Sequence, residues 1–224
     1  MCITRLRDEN GFTLMELLVA STITVVVLGS AVAMTSQIQN GYRRQLEDSA
    51  AEQEARYVLE WIGRYVRGAA NNPTAAPTTA CPGPAVVNVR PIQFDPGGDD
   101  IDNDIRLMTD ANPPDGLIGG PAGVCDQSGE DVTISIDSDA NTITFLDNNT
   151  GGEITTRTDT VIENLEFVFR NSTHGLIDTS VANAAANVVY VETRITIRSR
   201  TIDPASGAPA TRTLSQEVKI RSRG

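Results

Sequence analysis

Gly11-Phe12-Thr13-Leu14-Met15-Glu16-Leu17-Leu18-Val19-Ala20 opens an apolar run that extends to Met34. Between Phe12 and Met34 the only charged side chain is Glu16, and the run holds no Lys, Arg or His. As a helix rising ~1.5 Å per residue it covers roughly 35 Å, enough for a bilayer core of about 30 Å. Glu16 therefore falls within lipid. A carboxylate there is costly, so it is read as functional and its partner must be found. Within the span no cation offers itself.

Residues 1–11 carry Arg5, Arg7, Asp8 and Glu9 and have no apolar core of their own. A secretory signal peptide places its cleavage site after an apolar stretch, whereas here a polar segment precedes one. Orientation from charge is balanced, because Arg5 and Arg7 on one side face Arg43 and Arg44 on the other.

This junction resembles the type IV prepilin signature, in which a polar leader ends in Gly, a methylated Phe begins the mature chain and Glu is its fifth residue. Gly11, Phe12 and Glu16 occupy those positions, and Thr13, Leu14, Leu17, Leu18, Val19 and Ala20 fit the surrounding pattern. The resemblance implies cleavage by a prepilin peptidase between Gly11 and Phe12 and retention of 12–34 as a transmembrane and assembly helix in the inner membrane. It also implies that Glu16 neutralises the Phe12 amine of a neighbouring subunit, and that the rest of the chain lies in the periplasm before assembly. The competing reading is an ordinary signal anchor that carries an acid. Pilins often have a Pro near the position of Ala33 and unwind there in filaments; this chain has none.

Downstream of the apolar run about 190 residues remain, the size of one domain with a real core. A formal charge of −11 and a pI near 4.5 favour a soluble, self-repelling surface and indicate no nucleic-acid partner, which would need a basic face. Cys2 departs with the leader, which leaves Cys81 and Cys125 as an even pair in an oxidising compartment, a candidate disulfide.

Thr35 to Arg67 reads as a polar continuation of the helix, with Glu52/Arg56 and Glu60/Arg64 as i,i+4 pairs. At 100° per residue Ile38, Tyr42 and Leu46 share one sector, and Ala51, Ala55, Val58, Leu59, Ile62 and Val66 share another roughly half a turn away. The second stripe, edged by Trp61 and Tyr65, is expected to pack on the chain's own downstream domain, and the first to meet other subunits. The helix should end near Gly68. A Pro/Ala/Thr-rich connector follows, from Asn71 to Pro84.

Beyond it the period changes to two. Val86 to Phe94, Asp131 to Asp137, Thr142 to Leu146, Glu153 to Thr158, Ile162 to Arg170, Val188 to Arg198 and Thr211 to Arg221 read as strands of an antiparallel sheet laid on the helix. Residues 95–125 read as an irregular loop rich in Gly, Pro and Asp. The fold class expected is α+β and pilin-like: leader 1–11, transmembrane helix 12–34, amphipathic helix 35–70 and a β-rich head 71–224.

The order of elements from Asp131 to Arg200 looks like that of PilW-type minor pilins and is also similar to the J-type minor pseudopilin of type II secretion. The first resemblance implies a subunit that primes or caps a type IV pilus at the cell surface together with other minor and major pilins. The alternatives are a pseudopilin of a secretion piston and a pilus-tip adhesin binding through residues 95–125. No catalytic constellation is present, so no enzyme is expected. His174, the only histidine, and Asn148 and Asn171, which head sequons, read as turn residues. No cofactor is required by this reading. Asp100, Asp102 and Asp104 are candidate Ca²⁺ ligands, having the alternating spacing with which such loops begin, although Ile105 stands where an EF-hand needs Gly and Ala111 where it needs Glu.

Overall fold

In the computed structural model the apolar run and its polar continuation form one helix, α1 (Leu14–Gly68, 55 residues). The structure describes residues 12–69, 71, 92–99, 101–110, 118–120, 126–149, 153–156, 158, 161–181, 183–202 and 206–221. Two compact units divide the chain, Met1–Leu46 and Glu47–Gly224.

In the first unit α1 is long and apolar enough to cross a membrane, and none of its apolar window is buried. Leu14, Leu17, Val25, Val26 and Val32 are all more than two-thirds exposed. The hydroxyls in this run satisfy themselves: Ser21 and Thr22 donate to the Leu18 carbonyl, Thr24 to that of Ala20 and Ser30 to that of Val27. Such back-bonding gives each hydroxyl a partner without water, as a helix able to cross a membrane requires.

The second unit, the head, takes its core from both periodicities. Ala51, Ala55, Val58, Leu59, Ile62 and Val66 are buried, as their shared sector predicts, whereas Ile38, Tyr42 and Leu46 are exposed. Glu52–Arg56 and Glu60–Arg64 pair at 2.7 and 2.8 Å. Gly63 closely faces Gln216 and Val218: a Cβ there would lie 3.2 Å from Gln216 Oε1 and 3.3 Å from Val218 Cγ2. At the C-terminus, the Ala69 N–H bonds the Tyr65 carbonyl at 2.9 Å, and Arg67 lies in the last turn, where the helix dipole favours a cation.

Among the described residues two antiparallel sheets complete the head. One runs in sequential order through β1 (Ile92–Phe94), β2 (Ile105–Met108), β3 (Asp131–Asp137), β4 (Thr142–Asp147) and β5 (Glu153–Thr156); the other through β6 (Ile162–Arg170), β7 (Tyr190–Ile202) and β8 (Pro209–Lys219). Their apolar faces join the helix stripe in one cluster. Phe145 sits against Trp61 and Tyr65, with ring centroids 5.0 and 5.6 Å away. In β7, Val191, Thr193, Ile195 and Ile197 are buried and alternate with the half-exposed Glu192, Arg194 and Thr196, which gives the one wet and one dry face that the alternation demands.

Two expectations change. The single sheet is two: among the described residues β5 pairs with β4 and closes the first sheet, and β6 pairs with β7 in the second. The stretch 95–125 is not wholly irregular, since Ile105–Met108 is a strand wedged between β1 and β3. Four residues behind a run of Asp and Asn carry too short an alternation to stand out. Of the strand expected from Val86, only Ile92–Phe94 falls among the described residues, and the connector after Asn71 lies outside them.

Candidate functional site

Helix α1 begins with Thr13 as its cap, and Glu16 is the third residue of its first turn. The Thr13 backbone N–H and hydroxyl both donate to Glu16 Oε2 at 3.0 Å, and the Glu16 N–H donates back to Thr13 Oγ1 at 3.3 Å. This reciprocal capping box satisfies donors that a helix start leaves orphaned. Glu16 thus has an uncharged partner within its own chain, Thr13, where the sequence offers no cation within the span. The sequence signal for it is local, Thr13-Leu14-Met15-Glu16 ahead of an apolar run, the Thr-x-x-Glu pattern of a capping box. Phe12 is 89% exposed. Gly11, Cys81, Cys125 and Asp100 lie outside the described residues.

The acidic loop is folded around its own backbone. Asp95, at φ +41°, accepts the Gly98 and Asp99 N–H groups on Oδ1 at 2.7 and 3.0 Å. Asp104 Oδ2 accepts the Gly97 N–H at 2.8 Å, and Asp104 Oδ1 is buried without a hydrogen-bond partner among the described residues. The Asp102 carbonyl accepts the Phe167 N–H at 2.8 Å, tying the loop to β6. Among the described residues no three His, Cys, Asp or Glu side chains are placed to hold a metal together.

Burial raises the Asp104 carboxyl above the ordinary aspartate range, the Gly97 N–H opposes the shift, and the charges of Asp95 and Asp99 add to it. Burial likewise raises Asp102, with Thr179 opposing and Asp95 and Glu166 adding. A carboxyl raised by folding contributes stability that is fully present below its unfolded value and is lost as pH rises through its folded value. Asp104→Asn keeps an acceptor for Gly97 and removes the charge. It is expected to melt above the wild type near neutral pH, with the gap closing toward about pH 4, where aspartates protonate. Parallel melting curves across that range would show that Asp104 carries no such cost.

His174 sits at φ +59° in the turn after β6, stacked on Tyr190 with ring centroids 4.2 Å apart and Nδ1 3.4 Å from Glu217. Asn171 Oδ1 takes the N–H groups of Thr173 and Gly175 at 2.9 Å, and Asn148 Nδ2 donates to Asp131 at 2.9 Å. His174 and Asn171 lie in the turn after β6, and Asn148, in the turn after β4, ties that turn to β3.

The decisive comparison concerns the start of the chain. Residues 6–32 match the family model for the prokaryotic N-terminal methylation motif. The motif spans the Gly11-Phe12 junction, the capping box and most of the apolar run. Comparison with curated proteins and with solved structures finds no match. An N-terminal methylation motif indicates a type IV pilin-like or pseudopilin protein, and it implies a prepilin peptidase and other pilins as general partners. The exposed apolar half of α1 is consistent with membrane anchoring.

Proposed function

We propose that this chain is a minor pilin of PilW type, a non-enzymatic subunit held in the inner membrane by residues 12–34. Its head lies in the periplasm and, with other minor pilins, primes or caps a type IV pilus. The observation that carries the reading is the methylation motif over residues 6–32, with Glu16 as the lone charge in the run that follows Gly11. The size of the head, Glu47–Gly224, supports a place at a filament's tip or initiation complex better than one in its repetitive shaft.

Deletion of the chain tests the reading: loss of surface pili with secretion intact supports it. Loss of exoprotein secretion with pili intact would move the protein to a type II pseudopilus, and intact pili with lost surface binding would make it a tip adhesin. Processing gives a second expected result. Mass analysis of assembled material should find a chain beginning at N-methyl-Phe12, and Gly11→Val should accumulate as the uncleaved precursor. Met1 at the N-terminus of assembled subunits would contradict the reading.

A further inference from the structure

The capping box uses only one of the two carboxylate oxygens of Glu16. Oε2 takes both Thr13 donors, and among the described residues Oε1 accepts no hydrogen bond. A neutral hydroxyl and a backbone amide hold the acid, aided by the positive end of the helix dipole in whose first turn it sits. The remaining oxygen is therefore presented from a fixed side chain. We propose that Thr13 is a positioning residue for subunit pairing: it anchors Glu16 through Oε2 so that Oε1 meets the amine of a neighbouring subunit. The carboxylate is then shared between its own cap and that amine, with no need to surrender the first to gain the second. The inference rests on the reading that Glu16 pairs with a neighbour's Phe12 amine.

The energetic reason is the solvent. A carboxylate in hydrocarbon cannot borrow water while it waits for its partner, and an unsatisfied polar group there is expensive. With Thr13 bonded, Glu16 is partly compensated in the lone subunit and its rotamer is already chosen. Less ordering then remains for the encounter, which is the general advantage of preorganisation. Without the hydroxyl, Glu16 would lose one donor and its own N–H would lose its acceptor.

The roles of cap and charge separate chemically. Thr13→Val keeps the side-chain shape and the acid but deletes the hydroxyl. Thr13→Ser restores it. Glu16→Gln keeps an oxygen able to accept from Thr13 but carries no charge. Each variant is made in the full-length chain and read in two ways. Hydrogen exchange at the Glu16 amide in detergent micelles reports the cap and does not depend on cleavage. Co-purification with partner pilins from native membranes reports pairing.

Exchange at the Glu16 amide should speed up on the order of tenfold in Thr13→Val, the scale expected when one cap bond is lost. It should stay slow in Thr13→Ser and Glu16→Gln. Co-purification should fall in Thr13→Val, recover in Thr13→Ser and fall furthest in Glu16→Gln, and adding Thr13→Val to Glu16→Gln should cost nothing more, since coupled sites are not additive. An unchanged amide in Thr13→Val would overturn the proposal. So would full co-purification of Thr13→Val beside a failing Glu16→Gln, an outcome that leaves the pairing role of Glu16 standing. Full co-purification of Glu16→Gln would remove the pairing itself, and the proposal with it.

Discussion

Glu16→Val is expected to insert into the membrane at least as well as the wild type and to drop out of pilin assemblies. The substitution removes the only charge between Phe12 and Met34, so the insertion step becomes easier. It also removes the acceptor of both Thr13 donors, which loosens the first turn of α1. Assembly suffers for a different reason: the amine of a neighbouring Phe12 would be left in lipid with no counter-charge. Removing one partner of a buried pair leaves the other uncompensated, an effect worth roughly a hundredfold or more in a pairing equilibrium. The measurement is a pair of fractions from the same cells, chain recovered in inner membranes and chain co-purified with partner pilins. A normal first fraction with a nearly empty second is the expected result. Wild-type levels of both would mean that Glu16 does not pair across subunits.

Arg106→Ala is expected to produce the largest loss of stability of any exchange considered for the head. The guanidinium donates to Asp131 through both Nε and Nη2, with the first bond at 2.7 Å, and the Asp131 side chain is 3% exposed. Asp131 holds the Arg106 guanidinium above its ordinary value, against the opposing effect of burial. The pair joins neighbouring strands β2 and β3, and Asn148 adds a third bond to Asp131. Truncating the arginine strands a buried carboxylate, which costs about 3–5 kcal/mol. For a protein of this size each kcal/mol lowers the melting temperature by roughly 2–4 °C. Removing both charges in an Arg106→Met, Asp131→Leu double variant should recover most of the loss, because an apolar pair of similar volume avoids the desolvation cost. A loss below about 1 kcal/mol for Arg106→Ala would place the pair with surface salt bridges.

These two sites differ in how far they could be read from residues alone. Glu16 stands out because its neighbours in sequence are also its surroundings: a long uncharged run makes one acid conspicuous without any knowledge of the tertiary fold. Its bond to Thr13 is equally local, three residues away, and was there to be read. Arg106 and Asp131 are 25 residues apart and belong to different strands. Nothing near Arg106 distinguishes it from the exposed Arg198 and Arg212 of β7 and β8, and β2 itself is too short to announce a face.

The head follows the same division. The stripe from Ala51 to Val66 is a matter of helical period, and its burial was predictable because six small or apolar residues on one side must be covered by something. The alternation in β7 fixes which residues face inward for the same reason. Separation of the strands into two sheets depends on where pairing stops after Thr156, a choice made by strands distant in the chain.

Local order in the chain therefore settled the apolar helix, its cap, the two stripes and the dry faces of the longer strands, since each arises from spacing within a few turns or pleats. Folding in three dimensions settled which acids of a strongly acidic chain are buried. Asp104 and Asp131 look like any solvated aspartate in the sequence, yet one ends buried with an oxygen that has no partner among the described residues and the other in the grip of Arg106. Their difference comes from desolvation and pairing, and both depend on groups that only long-range contacts bring near.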